Sequence, residues 1–240
     1  RGRGRRPPGL TNNCRMPIEP PPSPWHLDLG LAQPGEDLIG VGADLEPGTL
    51  LAAYRTGIFP MGLGPRGGGV MGWWSPDPRG VLFPHDLRVS RSLRRSLKTF
   101  EFRVDTAFEE VVEGCAAPGR TGRWITPSIA RAYAELHRLG WAHSVETWRD
   151  GELVGGLYGV AVGGLFAGES MFHRATDASK AALVHLVSLV SPTEGLIDVQ
   201  WRTDHLATLG VTEVTRTAYV RLVEEARNRP LPPAFAARPD

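Results

Sequence analysis

The chain has 240 residues, 41% of them apolar and 22% charged, with a formal net charge of +1. That length supports one sizeable core or two smaller ones, and the near-zero charge excludes nucleic-acid binding driven by overall charge, leaving only local clusters of cations to do it. No apolar run reaches the length of a membrane span, and no apolar segment follows the basic start Arg1–Arg6, so a cytoplasmic protein without a secretory signal is expected.

In chain order, residues 1–15 read as a disordered basic tail, with Met16 as the expected start of translation. Cys14 and Cys115 show neither CxxC nor Cys/His ligand spacing, so no disulfide framework and no metal site is expected, and Cys115 reads as a small buried hydrophobe. Residues 17–36 are proline-rich and irregular. A turn at Glu46-Pro47-Gly48 leads into a short amphipathic helix over Thr49–Thr56, with Thr49 as N-cap and Gly57 as the stop. Residues 62–72 are a glycine-rich loop; no P-loop lysine follows it, and it reads as a flexible connection. Trp73-Trp74-Ser75-Pro76-Asp77-Pro78-Arg79 is extended and stiff, because each proline restricts itself and the residue before it. Two adjacent indoles on such a corner suggest a docking surface.

Val81-Leu82-Phe83 is predicted as a strand. Beyond it, Arg91, Arg94, Arg95 and Lys98 fall at i, i+3, i+4 and i+7, one face of a helix anchored by Leu93 and Leu97. That face reads either as solvated surface or as a phosphate-binding stripe. Helices are expected over 108–115 and 127–139, with Pro127 in the first turn of the second, where its missing N–H does no harm. Strands are expected over 144–149 and 153–162, joined by a hairpin at Asp150-Gly151. A further strand is expected over 164–171, then an apolar helix over 178–190, a strand over 196–201, a helical turn over 206–210 and a final amphipathic helix over 219–227. Strands and helices in that order make an α+β fold, a mixed sheet layered with helices. The expected organisation is a small N-terminal domain over 16–83, a larger domain over 84–228 and a C-terminal tail over 229–240.

Three polar residues interrupt apolar strands: Glu169 in Leu165–Phe172, and Asp198 and Gln200 in Leu196–Trp201. Strand alternation puts Asp198 and Gln200 on one face. An acid and an amide on an otherwise buried strand are costly unless they meet each other or a ligand. Gly168 lets a ligand or a backbone approach closely. His137, His143, His173, His185 and His205 have no metal spacing, and no Gly-x-Ser-x-Gly elbow is present, so Ser or Cys nucleophilic catalysis is not expected.

Gly40–Leu45, Ala53–Pro60, Trp73–Arg79, Ser90–Ser92, Trp124–Thr126, His143–Glu146, Gly155–Val160, Gly168–Phe172, Ala178–Lys180, Leu196–Gln200 and Asp204-His205 together resemble the leucyl/phenylalanyl-tRNA–protein transferase family, over about Pro24 to Ala226. The resemblance implies a small N-terminal domain plus a GNAT-like acyltransferase domain. It implies a cytoplasmic, monomeric enzyme without cofactor or metal. Such an enzyme moves Leu or Phe, and less well Met, from aminoacyl-tRNA to the N-terminal Arg or Lys of proteins, marking them for proteolysis as an N-degron. By resemblance Asp198 and Gln200 sit at the reacting centre, with Glu169 binding the cationic acceptor and supporting Gln200. Trp124, Leu157, Phe166, Leu186 and Ile197 surround the donor side chain, with Met61 at the rim. The tRNA contacts fall to Arg91, Arg94, Arg95, Lys98, Trp73 and Trp74, with the terminal adenosine stacked on aromatic surface. The chain departs from the family at Met61, where Trp is common, and at Thr203, where Asn is common; Thr203 still offers the Gln200 network one hydroxyl. A coenzyme-A acetyltransferase and a non-catalytic RNA-binding module are the alternatives. Against the first, no pyrophosphate-binding Gly loop leads into a helix. The second gives no reason for three polar residues on apolar strands.

Overall fold

The computed structural model describes residues 16–236 except 31, 34, 120 and 121; the expectations for the first fifteen residues, Cys14 included, lie outside the described residues. The elements run β1 (Leu38–Val41), α1 (Pro47–Thr56), β2 (Phe59–Gly62), β3 (Met71–Trp74), β4 (Arg79–Leu82), α2 (Arg91–Leu97), β5 (Glu101–Val104), α3 (Phe108–Ala116) and α4 (Pro127–Leu139). They continue with β6 (Ala142–Arg149), β7 (Glu152–Val162), β8 (Leu165–His173), α5 (Ala178–Val190), β9 (Leu196–Gln200), α6 (Asp204–Ala207), β10 (Thr212–Val214), α7 (Arg216–Arg227) and α8 (Pro233–Ala236).

Two sheets result. A small one has the order β1-β3-β2, and a seven-stranded one has the order β10-β4-β9-β8-β7-β6-β5. All pairs in the large sheet are antiparallel except β8–β9, which α5 connects as a crossover. The α+β class is therefore as expected. α3 and α4 cover one face, with Val111, Ile129 and Tyr133 against Tyr158; α5 covers the other, with Leu183 and Leu186 against Leu157 and Ile197.

Most predicted elements form where the pattern put them, α5 residue for residue. The hairpin at Asp150-Gly151 has both residues at positive φ (53° and 81°), as a two-residue turn of this hand requires. Three details differ. Pro47 opens α1 after Glu46, and Thr49 lies buried inside the helix, where its hydroxyl meets that of Ser23 at 2.9 Å instead of capping. The glycine-rich stretch is a packed hairpin tip between β2 and β3: a Cβ on Gly67 would lie 1.9 Å from the Trp124 carbonyl oxygen, so that glycine is there for close approach. Residues 229–236 are not a free tail, because Phe235 is buried and stacks on Phe166 at 5.3 Å and on His143 at 4.7 Å. β4 joins the large sheet through β9 and β10, so the larger unit takes in residues from Arg79 onward and reaches back past the expected boundary at 83/84.

Candidate active site

The site forms where two strands part. β8 and β9 are bonded to each other only from Leu165–Ala167 to Leu196–Asp198. Beyond that point β8 stays with β7 and β9 stays with β4, which leaves a wedge. Each strand carries a bulge there. On β8, Tyr158 faces Ser170 and Gly159 faces Gly168, so Glu169 is the extra residue; on β9, Gly80 faces Gln200 and Val81 faces Asp198, so Val199 is the extra residue. A bulge re-aims a side chain at the cost of a ladder bond. The wedge holds a pocket of about 270 Å³ lined by Leu157, Gly168, Glu169, Ser170, Met171, Leu183, Leu186, Ile197, Val199, Gln200, Thr203, His205 and Leu206. A larger cleft of about 610 Å³ opens at the start of β9, but His85, Glu194 and Glu225 there are exposed, and none of its lining side chains carries a buried polar atom without a partner.

Asp198 and Gln200 do not share a face. The bulge at Val199 and the left-handed φ of 57° at Gln200 break the alternation, so Gln200 lines the pocket and Asp198 does not. Asp198 is fully buried behind the pocket. Its Oδ1 accepts from Arg79 Nε at 2.8 Å and from the Gln200 backbone N–H at 3.0 Å; its Oδ2 accepts from Arg79 Nη2 at 2.7 Å and from the Tyr219 hydroxyl at 2.8 Å. Arg79 is buried too, and its third nitrogen donates to the Gly57 carbonyl at 3.2 Å. Burial opposes the charge on Arg79, but the Asp198 carboxylate outweighs it and holds the guanidinium protonated above its ordinary range.

Glu169 meets a different environment. Its Oε2 accepts from the Tyr133 hydroxyl at 2.8 Å, and Tyr133 in turn is hydrogen-bonded to Tyr54 of α1. Burial is the main cause that pushes its carboxyl up to about 7, opposed by the hydroxyls of Tyr54 and Tyr133. Glu169 Oε1 and Gln200 Nε2 are buried without a partner. Two residues lining a largely apolar pocket therefore carry one buried unpaired acceptor and one buried unpaired donor, which are costly to keep in a protein with no use for them.

A family model described as Leucyl/phenylalanyl-tRNA protein transferase matches residues 81–224, and one described as its N-terminal domain matches residues 43–77. The chain belongs to the leucyl/phenylalanyl-tRNA–protein transferase family. A relative of that name from Nitrosomonas europaea is 49% identical over 209 residues, covering 85% of this chain and 87% of its own. One from Dechloromonas aromatica is 52% identical over 191 residues, covering 76% and 79%. Among solved structures, the chain is similar to a GCN5-related N-acetyltransferase from Kribbella flavida at 13% identity and a TM-score of 0.36, over 69% of this chain and 60% of that one.

Of the residues that the transferase resemblance nominated for the donor pocket, Leu157, Leu186 and Ile197 do line it; so do Glu169 and Gln200 from the reacting centre, and Thr203. Phe166 is buried under Phe235 and does not. Met61 and Trp124 do not line it either; they pack in the cluster around α1 and the small sheet. Trp73 is fully buried with its indole N–H on the Gly42 carbonyl at 2.8 Å, so it offers no surface to a tRNA; Trp74 is half-buried and bonds the Met61 carbonyl. Arg91, Arg94, Arg95 and Lys98 are all exposed on α2 and its C-cap, while Leu93 anchors the helix in the core beneath the pocket. Sequence reasoning missed Arg79, Tyr219, Tyr133 and Tyr54. The signal for Arg79 is its place at the end of the Trp73–Arg79 motif, a charged residue just before an apolar strand.

Proposed function

We propose that this aminoacyltransferase moves Leu or Phe, and less well Met, from aminoacyl-tRNA to the N-terminal Arg or Lys of proteins, as a cytoplasmic monomer, making an N-degron. The observation that carries the reading is a largely apolar pocket lined by Gln200 and Glu169, each with a buried polar atom left without a partner. Leu157, Leu183, Leu186 and Ile197 suit an apolar donor side chain. Among the described residues no helix is long and apolar enough to cross a membrane.

The donor is an ester, already activated. The acceptor α-ammonium has a pKa near 8, roughly, and must lose one proton before its nitrogen can attack. Glu169, titrating at about 7, is matched to take that proton. The amine lone pair then forms the C–N bond. Gln200 Nε2 donates to the carbonyl oxygen as negative charge develops on it. The C–O bond to the ribose breaks, and the leaving oxygen takes the second proton that the attacking nitrogen sheds as it becomes an amide. Asp198 acts through Gln200: it accepts that residue's backbone N–H and fixes the turn that aims its amide.

The test is transfer of label from Leu-tRNA and Phe-tRNA to peptides beginning with Arg, Lys or Ala. Transfer to the Arg and Lys peptides alone supports the reading. Gln200→Ala lowers kcat about 10²- to 10³-fold, the usual loss of an oxyanion donor. Transfer to none of the peptides refutes it.

A further inference from the structure

Resting on the transferase reading, we infer that the acceptor polypeptide leaves the pocket along β1 and adds itself, as an extended strand, to the free edge of the small sheet. The α-amine of the acceptor reacts at the pocket, so the rest of its chain must pass out over a neighbouring surface, and the small sheet is such a neighbour. Trp201 follows Gln200 directly; it meets Phe59 of β2 at 5.3 Å and Trp74 of β3 at 6.4 Å, and its indole N–H donates to Asp37 Oδ2 at 3.2 Å. Asp37 is the residue immediately before β1. In that position β1 is the outer strand of the order β1-β3-β2, and among the described residues no strand pairs with its other side. Such a strand turns a row of backbone N–H and C=O groups outward, ready to pair with another extended chain.

Proteins commonly guard an open edge with a charge or a proline, and Leu38-Ile39-Gly40-Val41 has neither. Leu38 and Val41 are exposed instead, Val41 at 61%, and so is Val70 at the tip between β2 and β3, whose neighbour Met71 accepts from the Gly42 N–H at 2.8 Å. Alternate side chains of a paired peptide meet an apolar ledge there. Charge decides between a polypeptide and the nucleic acid of the donor. From Met16 to Pro78 the chain carries seven acids against two cations, Arg55 and Arg66, and Glu19 already pairs with Arg55 at 2.7 Å. Arg91, Arg94, Arg95 and Lys98 stand exposed in the larger unit, on α2 and its C-cap. The two substrates are thereby sorted by sign: phosphates are repelled from the small unit and drawn to α2, and an acceptor beginning with Arg or Lys is drawn to the small unit. Main-chain pairing adds affinity without reading side chains, which suits acceptors defined by their first residue.

Transfer kinetics of the full chain, with phenylalanyl-tRNA as donor, test the assignment. The acceptors are argininamide and a hexapeptide beginning with Arg, the latter unmodified or with one backbone amide N-methylated at position 3, 4, 5 or 6. Only alternate amides of a strand face its neighbour, so N-methylation at positions of one parity raises KM about fivefold or more and at the other parity little, with kcat within about twofold. Val41→Lys puts a charge on the exposed edge; it raises KM for the hexapeptide by a similar factor and leaves KM for argininamide and Kd for tRNA within about twofold. A scan without a period of two shows that no strand forms and overturns the assignment. A period of two together with an unchanged hexapeptide KM in a Val41→Lys variant that folds as wild type by circular dichroism puts the peptide on another edge. If Val41→Lys raises KM for both acceptors alike, it disturbs the pocket and no docking edge, and if it tightens tRNA binding, the face takes nucleic acid; each of these results also overturns the assignment. Absence of transfer by the wild-type protein to either acceptor would instead refute the transferase reading, and this assignment with it.

Discussion

Replacing Arg79 with methionine removes a guanidinium and leaves the Asp198 carboxylate behind. Both groups are about 1% exposed, so water cannot take the arginine's place. The carboxylate loses its contacts of 2.8 and 2.7 Å and keeps only the Tyr219 hydroxyl and the Gln200 N–H. Removing one member of a buried pair costs about 3–5 kcal/mol, because the remaining charge stays desolvated and uncompensated. Against a total stability of about 5–15 kcal/mol, that is about a fifth or more of the whole. Urea unfolding read as a midpoint at unchanged slope measures it. The second arm is Arg79→Met combined with Asp198→Asn. Asparagine carries no charge, and its oxygen can still accept from Gln200 N–H, so the double variant recovers most of the lost stability and transfer recovers with it. If the double variant is no more stable than the single one, the stranded charge is not the source of the loss. If its stability returns and transfer does not, Asp198 does more than hold Gln200 in place.

Glu169 makes stability depend on pH. Between the ordinary carboxylate value of 4.5 and about 7, the unfolded chain releases this proton while the folded chain keeps it, so its contribution to stability is lost as pH rises through that window. Glu169→Gln is therefore more stable than wild type by up to about 3 kcal/mol at pH 8 and by little at pH 4; a gap that does not change with pH refutes this. In the same experiment the wild-type transfer rate climbs through about pH 7, and the variant loses that limb. Neutralising Arg91, Arg94, Arg95 and Lys98 weakens tRNA binding and flattens its salt dependence by about one unit of log–log slope for each cation that touches a phosphate; transfer from phenylalanyl-adenosine is unchanged. Phe235→Ala opens a cavity beside Phe166 and His143 and costs about 3–5 kcal/mol in urea unfolding; a free C-terminal tail would show no loss.

Local pattern made the layered part of the molecule legible. α4 carries apolar residues at helical spacing, α5 is an apolar run of helical length, and β6 and β7 flank a turn whose chemistry names itself. The small sheet was not legible, because β1, β2 and β3 are four residues each and rich in glycine, too short for a period to show. Glu169 and Gln200 were found because polar groups on apolar strands are costly. Asp198 was found for the same reason, and its partner was missed: Arg79 lies 119 residues away, and strand alternation says nothing about a pairing at that range. Trp73 and Trp74 illustrate the limit of composition. Both indoles are costly to expose, and burying Trp73 on a carbonyl was as good an answer as docking it on a ligand.

The two sides of β9 explain each other. A buried ion pair adds little net stability, since desolvating two charges offsets their attraction, so Arg79 and Asp198 are poorly explained as a staple for the core. A residue at φ 57° that is not glycine also costs free energy unless its surroundings hold it there. The pair does that. Two nitrogens of Arg79 fix both oxygens of Asp198, and one of those oxygens fixes the N–H of Gln200. The bulge at Val199 supplies the change of direction, and the ion pair makes it the only direction available. The Gln200 backbone is thus held at the pocket, which on the proposed mechanism sets where its amide starts from when negative charge develops on a bound carbonyl. A flexible strand end would leave the same residue at the same address without the aim, which is why a charge behind the sheet matters to chemistry in front of it.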